Sequence, residues 1–309
     1  MAVQTLRDTG LPYDGRPVDV GAAYLTARHP DFSAIVADWV TRGLARAWTD
    51  TLTVIDLEGA RGSTSGPMRY AAARGLRSLV DDLAADLPTL VHPHDVEEVA
   101  PCSAGPGWTI DGDEVDAVVL AMPVPQAMRL LPLGHPAHHA LAPVRFDPVL
   151  TVVAAYADRS WPSFDGCFVN DSVVLSFVAD DGARRGDGAP VLVAHSSSVF
   201  AARHLANPTG ALPTMLAALT SASGSKEAPV WAGVRRWGLA RPGTQLDGPY
   251  YLASNLGICG DAWGASSRIE TAWLSGDRLG TQLAAQLRAT APDPDPDARE
   301  RTPEPPGRV

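Results

Sequence analysis

The chain has 309 residues, of which 45% are hydrophobic, and its formal net charge is −10 at pH 7. This length and apolar content allow one large domain or two interleaved domains with a substantial core. The negative charge disfavours a nucleic-acid partner, because a phosphate backbone would be repelled. Three widely spaced cysteines, Cys102, Cys167 and Cys259, exclude a CxxC metal site and a disulfide framework.

Targeting and membrane signals are missing from the parts of the sequence where they would be expected. The first residues contain no apolar segment of the secretory type. The longest apolar stretches, such as Val115–Val124, are too short to span a membrane. We therefore expect a soluble, cytoplasmic protein with a small-molecule substrate and no membrane partner. The sequence does not indicate its oligomeric state.

Apolar residues recur at helical spacing in three segments, which predicts helices over Pro30–Ala47, Arg69–Leu87 and Ser266–Leu287. Turn-forming residues cluster in three other segments and predict loops. These loops are Gly59–Pro67, Asp180–Pro190 and Ser221–Pro229. The Pro-rich, charged residues 291–309 predict a disordered tail, because they cannot bury enough apolar surface to offset the entropy lost on ordering.

Two kinds of strand pattern are present. Val115–Ala121 and Leu256–Cys259 are continuous apolar runs, as strands buried on both faces require. Between them lie β-rich segments that are not separated by full-length helices. These segments are Val149–Tyr156, Val173–Val178, Val191–Ala194 and Val230–Trp237. The order predicts an α/β domain interrupted by an α+β domain with a mainly antiparallel sheet.

The most informative stretch follows the buried strand Leu256–Cys259. This strand ends in Gly260-Asp261, a short turn follows, and a helix begins near Ser266. In open α/β sheets, ligands bind beyond the carboxyl ends of strands, and a helix N-terminus there offers free N–H groups and a partial positive charge. This arrangement suits a group that becomes anionic, such as the pyrimidine edge of a reduced flavin. A plain strand–loop–helix unit capped by Ser266 is the commoner use of the pattern.

The run from Gly260 to Gly276 resembles the C-terminal flavin motif of the renalase and flavin amine-oxidase family. The resemblance implies an FAD/NAD(P)-binding Rossmann-like domain with FAD as cofactor. It implies that Gly260 and Asp261 contact the ribityl and pyrophosphate region, and that Arg268 and backbone near Ile269 lie at the flavin ring. Glu270 also matches the motif, but the resemblance does not fix its role.

Other blocks between about Val18 and Leu287 resemble the same family in the same order. Val18–Thr26 resembles the segment beside the flavin, which implies FAD contacts at Gly21 and Ala22 and a pocket position for Tyr24. In Val91–Val99, the resemblance implies that Val96 faces the adenosine end of FAD. Three further blocks match a turn, a strand-to-loop segment and an active-site strand, and they are Gly66–Met68, Asp116–Gln126 and Arg235–Ala240. His195, Arg236 and Trp237 are thereby candidates for the pocket.

Two departures from the family pattern bear on function. Ala23 stands where the family has Gln, which removes a polar side chain expected near the flavin. Members of the family should begin with a strand, a G-x-G-x-x-G turn and a helix, and the sequence contains no such unit. Met1-Ala2 resembles the end of the segment that follows this unit. We therefore expect either a shortened gene model or a decayed copy of such an enzyme.

The resemblance predicts a discontinuous FAD-binding domain over residues 1–20, 66–140 and 245–290, with a substrate domain over 21–65 and 141–244. The predicted reaction is oxidation of a small amine or a dihydronicotinamide-type substrate by hydride transfer to flavin. The alternative is a truncated, non-catalytic remnant that does not bind FAD. No catalytic side chain is assigned.

Two other functions have little support in the sequence. The histidines of Gly134–His139 suggest a metal site, but no carboxylate completes the set and Pro136 would break a helix there. A serine hydrolase that uses His195 with Ser197 or Ser198 would be expected to have a G-x-S-x-G elbow, and none is present.

Overall fold

The computed structural model describes residues 1–56, 61–89, 94–103, 105 and 107–290. The strands are β1 Val3–Thr5, β2 Pro17–Asp19, β3 Arg46–Ile55, β4 Arg61–Ala71, β5 Val99–Pro101, β6 Trp108–Ile110, β7 Asp113–Val115, β8 Val118–Ala121, β9 Phe146–Ala155, β10 Gly166–Val169, β11 Leu175–Asp180, β12 Val191–Ser196, β13 Trp231–Pro242, β14 Tyr251–Ala253 and β15 Leu256–Cys259. The helices are α1 Pro30–Thr41, α2 Arg77–Leu83, α3 Val124–Leu130, α4 Pro136–Ala140, α5 Asp181–Arg185, α6 Ser198–His204, α7 Leu212–Ser223 and α8 Ile269–Thr290. The predicted tail lies outside the described residues.

The chain is a mixed α/β protein built on a seven-stranded sheet with the order β13-β9-β12-β11-β10-β3-β4. We call it the large sheet. Its neighbouring strands are antiparallel except β10 and β3, which run parallel with Cys167 opposite Thr53. The expectation of a mainly antiparallel sheet made from the β-rich segments is confirmed.

Strict alternation of side chains gives the large sheet two different faces. On the helix face, Leu150, Val152 and Ala154 pack in one core with Met215 and Leu219 of α7. The opposite face, called here the inner face, carries the alternate residues of β9 and β12. Val153, Ala155, Val191 and Val193 pack there against the N-terminal residues Leu6, Val18 and Val20. The inner face is the surface against which the candidate site is built.

A second sheet lies under the turn that the sequence singled out. It has the order β14-β15-β8, in which β15 is parallel to β8 with Cys259 opposite Ala121. Leu256–Cys259 is buried throughout, as predicted. The Val115–Ala121 prediction is wrong in part, because the segment divides into β7 and β8, and Val119 is 44% exposed. Of the Val91–Val99 block that resembles the family, residues 94–98 are described and form no strand, and β5 begins at Val99.

Two predicted helices are shorter than the apolar spacing suggested. α1 begins where Pro30 supplies a favourable first position and buries Phe32, Val36 and Trp39 on one side. It ends at Thr41 because Gly43 adopts φ 73°, and the chain then enters β3. Helix periodicity cannot distinguish a helix from a following strand when both present apolar residues to the same core.

The Arg69–Leu87 prediction is wrong over its first part, and with it the loop predicted at Gly59–Pro67. β4 occupies Arg61–Ala71, because these residues pair with β3 along the edge of the large sheet, and residues 59–60 of the predicted loop lie outside the described residues. The turn into α2 therefore lies at Gly75, with φ 86°, and not at Gly66–Met68. A Cβ at Gly75 would lie 2.6 Å from Val3 Cγ2, so this turn requires glycine.

The other two predicted loops are also partly helical. α7 continues to Ser223 before Gly224, with φ 74°, ends it. Asp180–Pro190 contains α5, whose Asp181 and Arg184 are fully buried. Within the described residues, no helix combines the length and the apolar character needed to cross a bilayer. The domain boundaries stay a prediction.

Candidate functional site

The turn between β15 and α8 is held in a defined conformation by its own side chains. Gly260 has φ 156° and Gly264 has φ 136°, and a Cβ at Gly264 would lie 3.0 Å from Thr271 Cγ2. The Ser267 hydroxyl donates to Asp261 Oδ2, and the Gly260 amide donates to Ser275 Oγ at 3.2 Å. The carboxylate of Asp261 is thus fixed beside the turn.

The first turn of α8 begins at Ile269, where the sequence predicted that a flavin would meet the helix. Amide groups at this position have no acceptor within the helix and are available to a ligand. Glu270 is 6% exposed and accepts the amides of Arg28 and His29 at 2.6 and 2.7 Å. Glu270 therefore ties α8 to the segment that leads into α1, a role that the motif did not reveal.

The predicted flavin-contacting residues from distant parts of the chain meet at Met1-Ala2. The Gly21 amide donates to Ala2 O at 3.1 Å, and a Cβ at Gly21 would lie 2.8 Å from Ala2 N. Ala22, Ile269 and Met1 pack against one apolar cluster. Burial lowers the pKa of the Met1 amine, while Asp19 and Asp261 act to raise it. Gly21, Ala22, Asp261 and Ile269 therefore surround one region of the structure.

Val96 lies at the other end of this arrangement. It is half-buried and packs against the apolar cluster that contains Ala262 and Trp263 of the turn. The structure thus connects Val96 to the turn through that cluster. Its predicted role at the adenosine end of FAD stays a prediction.

An aromatic cluster covers part of the inner face next to Gly21–Ala22. The Tyr24 ring lies 6.1 Å from the Trp48 ring and 5.9 Å from the Phe177 ring, measured between centroids. Phe177 in turn lies 6.1 Å from His195, its cross-strand partner. The Arg69 guanidinium carbon lies 5.4 Å above the centre of the Tyr24 ring. We call these five residues the aromatic cluster.

Three buried nitrogens of the aromatic cluster have no hydrogen-bond partner among the described residues. They are Trp48 Nε1, Arg69 Nε and His195 Nε2. Burial, with Arg241 and Arg184 nearby, lowers the pKa of His195 to about 3, so its ring is neutral at physiological pH. Native proteins rarely leave buried polar atoms unpaired unless a ligand or water completes them. We therefore interpret the aromatic cluster as one wall of a ligand-binding site.

Trp237 continues the same wall, whereas Arg236 does not. The Trp237 indole N–H donates to Val20 O at 2.9 Å and to Thr151 Oγ1 at 3.1 Å. Trp237 also lines a cleft of about 510 Å³ together with Ala2, Gln4 and Arg235, among others. Arg236 points to the helix face, where it donates to Leu205 O. The structure brings Tyr24, His195 and Trp237 to one face and places Arg236 on the other.

A buried ion network supports this region and was missed by sequence reasoning. Asp181 pairs with Arg16 and Arg184, and Arg185 bridges Asp181 at 3.1 Å and Asp19 at 2.9 Å. Arg184 also donates to Ala23 O at 2.7 Å and to Asp19 O at 3.2 Å. The network therefore holds the backbone of 19–23 against α5. The sequence offered one indication of this network: Asp181 is followed by two arginines in a segment that lies between two apolar strands.

The metal and hydrolase alternatives gain no support. Among the described residues, no group of three His, Cys, Asp or Glu side chains could hold a metal ion. His135 instead caps α4 by accepting the Ala137 amide. Ser197 caps α6 by accepting the Phe200 amide and donates to Val173 O, so both sides of its hydroxyl have structural partners.

Comparison with known proteins shows the family to which the chain belongs. Residues 29–280 match the family model described as flavin containing amine oxidoreductase. The chain belongs to that family. The family is flavin-containing, and FAD is the implied cofactor, so the chain is a member of a family of flavin-dependent oxidoreductases.

Solved structures of amine oxidases show the same fold. A triple mutant of putrescine oxidase is 15% identical, with a TM-score of 0.67 over 94% of this chain and 90% of that one. A protein from Exiguobacterium sp. described as a protoporphyrinogen oxidase is 17% identical, with a TM-score of 0.54 over 71% of this chain. The match spans about half, 53%, of that protein. Cyclohexylamine oxidase from Brevibacterium oxydans is 12% identical, with a TM-score of 0.55 over 72% of this chain and 55% of that one.

The residues described above would suit one end of FAD. The amides at the start of α8 and the unpaired nitrogens of the aromatic cluster would serve the flavin ring and a substrate beside it, whereas the Gly21 amide already bonds Ala2 O. For the pyrophosphate, the sequence contains no glycine-rich turn between a strand and a helix.

Proposed function

We propose that this chain carries the flavin-ring end and the substrate wall of an FAD-dependent oxidoreductase that acts on a small amine or a dihydronicotinamide-type substrate. The observation that carries the proposal is the set of unpaired nitrogens at Trp48, Arg69 and His195, buried on the inner face next to the Gly21–Tyr24 segment. A bound flavin would supply the redox chemistry, accepting a hydride from the substrate carbon, so that an amine becomes an imine or a dihydropyridine becomes a pyridinium.

The protein side of this function is positioning and exclusion of water. The half-buried Tyr24 would contribute an aromatic, largely apolar contact to the substrate, and the buried Phe177 packs behind it. The neutral His195 could form a hydrogen bond with the substrate but carries no charge. This suits a reaction that requires no side-chain acid or base. The amides at the start of α8 would favour negative charge on the reduced ring by at most about 2 kcal/mol.

Flavin loading of the whole chain tests the proposal. The protein would be incubated with FAD and desalted, and the flavin that remains bound would be measured by absorbance. We expect bound flavin that bleaches when reduced nicotinamide or a small primary amine is added without oxygen. Asp261→Asn should weaken FAD retention, whereas the same change at the exposed Asp247 should not.

Failure to retain flavin at any FAD concentration, with the fold intact by circular dichroism, would reject the proposal. It would support the alternative of a non-catalytic remnant.

A further inference from the structure

Arg69 is a buried cation without a carboxylate partner. Its exposed fraction is 6%, and it lies on β4 opposite Thr49. The guanidinium donates from Nη1 to Asp50 O at 2.9 Å, and Nε has no partner. Within the described residues no Asp or Glu forms an ion pair with it, in contrast to the buried Arg16, Arg184 and Arg185. A buried charge without a counter-charge destabilises the folded protein. An arginine buried in this way therefore points to a bound anionic ligand that provides the counter-charge.

Apart from the Asp50 carbonyl that Arg69 already bonds, the aromatic cluster adds a second unpaired donor and, among the described residues, no carboxylate paired with Arg69. Trp48 contributes an unpaired indole N–H, which can only donate. The ring face of Tyr24 lies against the Arg69 guanidinium. This contact orients the guanidinium but does not neutralise its charge. Burial has the largest effect on the pKa of His195 in the same cluster, and the cations Arg241 and Arg184 lower it further. This part of the aromatic cluster is therefore electropositive and suits an acceptor-rich group.

We propose that Arg69, with Trp48 of the same aromatic cluster, binds a carboxylate of the substrate, so that the enzyme acts on an amine that also carries an acid group. The free Nε side of the guanidinium matches the planar two-oxygen geometry of a carboxylate. A diamine would instead bring a second ammonium group against Arg69 and be repelled. The inference rests on the proposed function, because it concerns the substrate wall of that same site.

Three probes of similar size and different charge test the inference: benzoate, benzamide and benzylammonium. Calorimetric titration of the full chain, with and without FAD, measures their binding whether or not the protein turns over. Charge-assisted hydrogen bonds predict that benzoate binds on the order of 10- to 100-fold more tightly than benzamide. Benzylammonium should bind more weakly than benzamide.

Arg69→Gln should abolish the preference for benzoate over benzamide, and Arg69→Lys should restore part of that preference. The matched control is Arg129→Gln, since Arg129 is exposed on α3 and distant in sequence. Equal binding of benzoate and benzamide to the wild-type chain, or an unchanged preference in Arg69→Gln, would overturn the inference. The wild-type comparison decides the matter even if a variant does not fold. Because the titration also runs without FAD, a lack of flavin binding would reject the proposed function and leave the carboxylate preference to be judged separately.

Discussion

Neutralising Asp181 should destabilise the fold more than its single charge suggests. Its carboxylate is fully buried and contacts Arg16, Arg184 and Arg185. Asp181→Asn keeps the shape but leaves these buried arginines with one anion fewer. Removing one partner of a buried ion pair costs about 3–5 kcal/mol, whereas the whole stability of a domain is about 5–15 kcal/mol. We therefore expect a loss of about 3–5 kcal/mol in the free energy of unfolding.

Urea unfolding followed by circular dichroism measures this loss, and the surface pair Arg77–Asp81 provides the matched control. Its side chains are 50% and 61% exposed, so Asp81→Asn should cost about 0.5 kcal/mol or less. Equal losses in the two variants would refute the reasoning, because they would show that the network contributes no more than an exposed pair.

The effect of Asp181→Asn should also depend on pH. The three arginines hold the pKa of Asp181 below its usual value against the opposing effect of burial. A lowered pKa means that this stabilisation is fully present above the pKa of the unfolded chain, about 4, and is lost as the pH falls through the folded value. The difference between wild type and variant should therefore be largest near neutrality and shrink below about pH 4.

Two further predictions concern the α8 anchor and the cysteines. Glu270→Gln should lower the free energy of unfolding by about 1–3 kcal/mol, because the buried carboxylate accepts two backbone amides. Glu227→Gln at an exposed position should leave it unchanged, and equal urea midpoints for the two variants would contradict this reasoning. Burial raises the pKa of Cys167 and of Cys259 to about 11, so few of these thiols are ionised at pH 7. After treatment with iodoacetamide at pH 7, mass spectrometry should therefore find alkylation first at the half-exposed Cys102. All three cysteines should react only after the protein is unfolded.

The sequence was sufficient for features that depend on local pattern. Leu256–Cys259 is an uninterrupted apolar run, and a strand covered on both faces is the structure that such a run forms. The glycines and the Ser–Arg–Ile–Glu run that follow it carried the family resemblance. The β-rich segments also predicted the antiparallel strands of the large sheet, since β-branched residues favour them over helices.

Features that depend on partners distant in the chain could not be predicted. Arg61–Ala71 contains Gly, Ser, Thr and Pro and looks like a loop, yet it is a strand because β3 provides a pairing edge. Asp181–Arg185 looks like a solvated charged turn, yet it is buried because Arg16 and Asp19 balance its charges. Nothing in the sequence around Arg69 distinguishes it from the exposed arginines of the chain. Its burial without a counter-charge follows from the packing of β3, β4 and Tyr24 around it, and no local pattern encodes that packing.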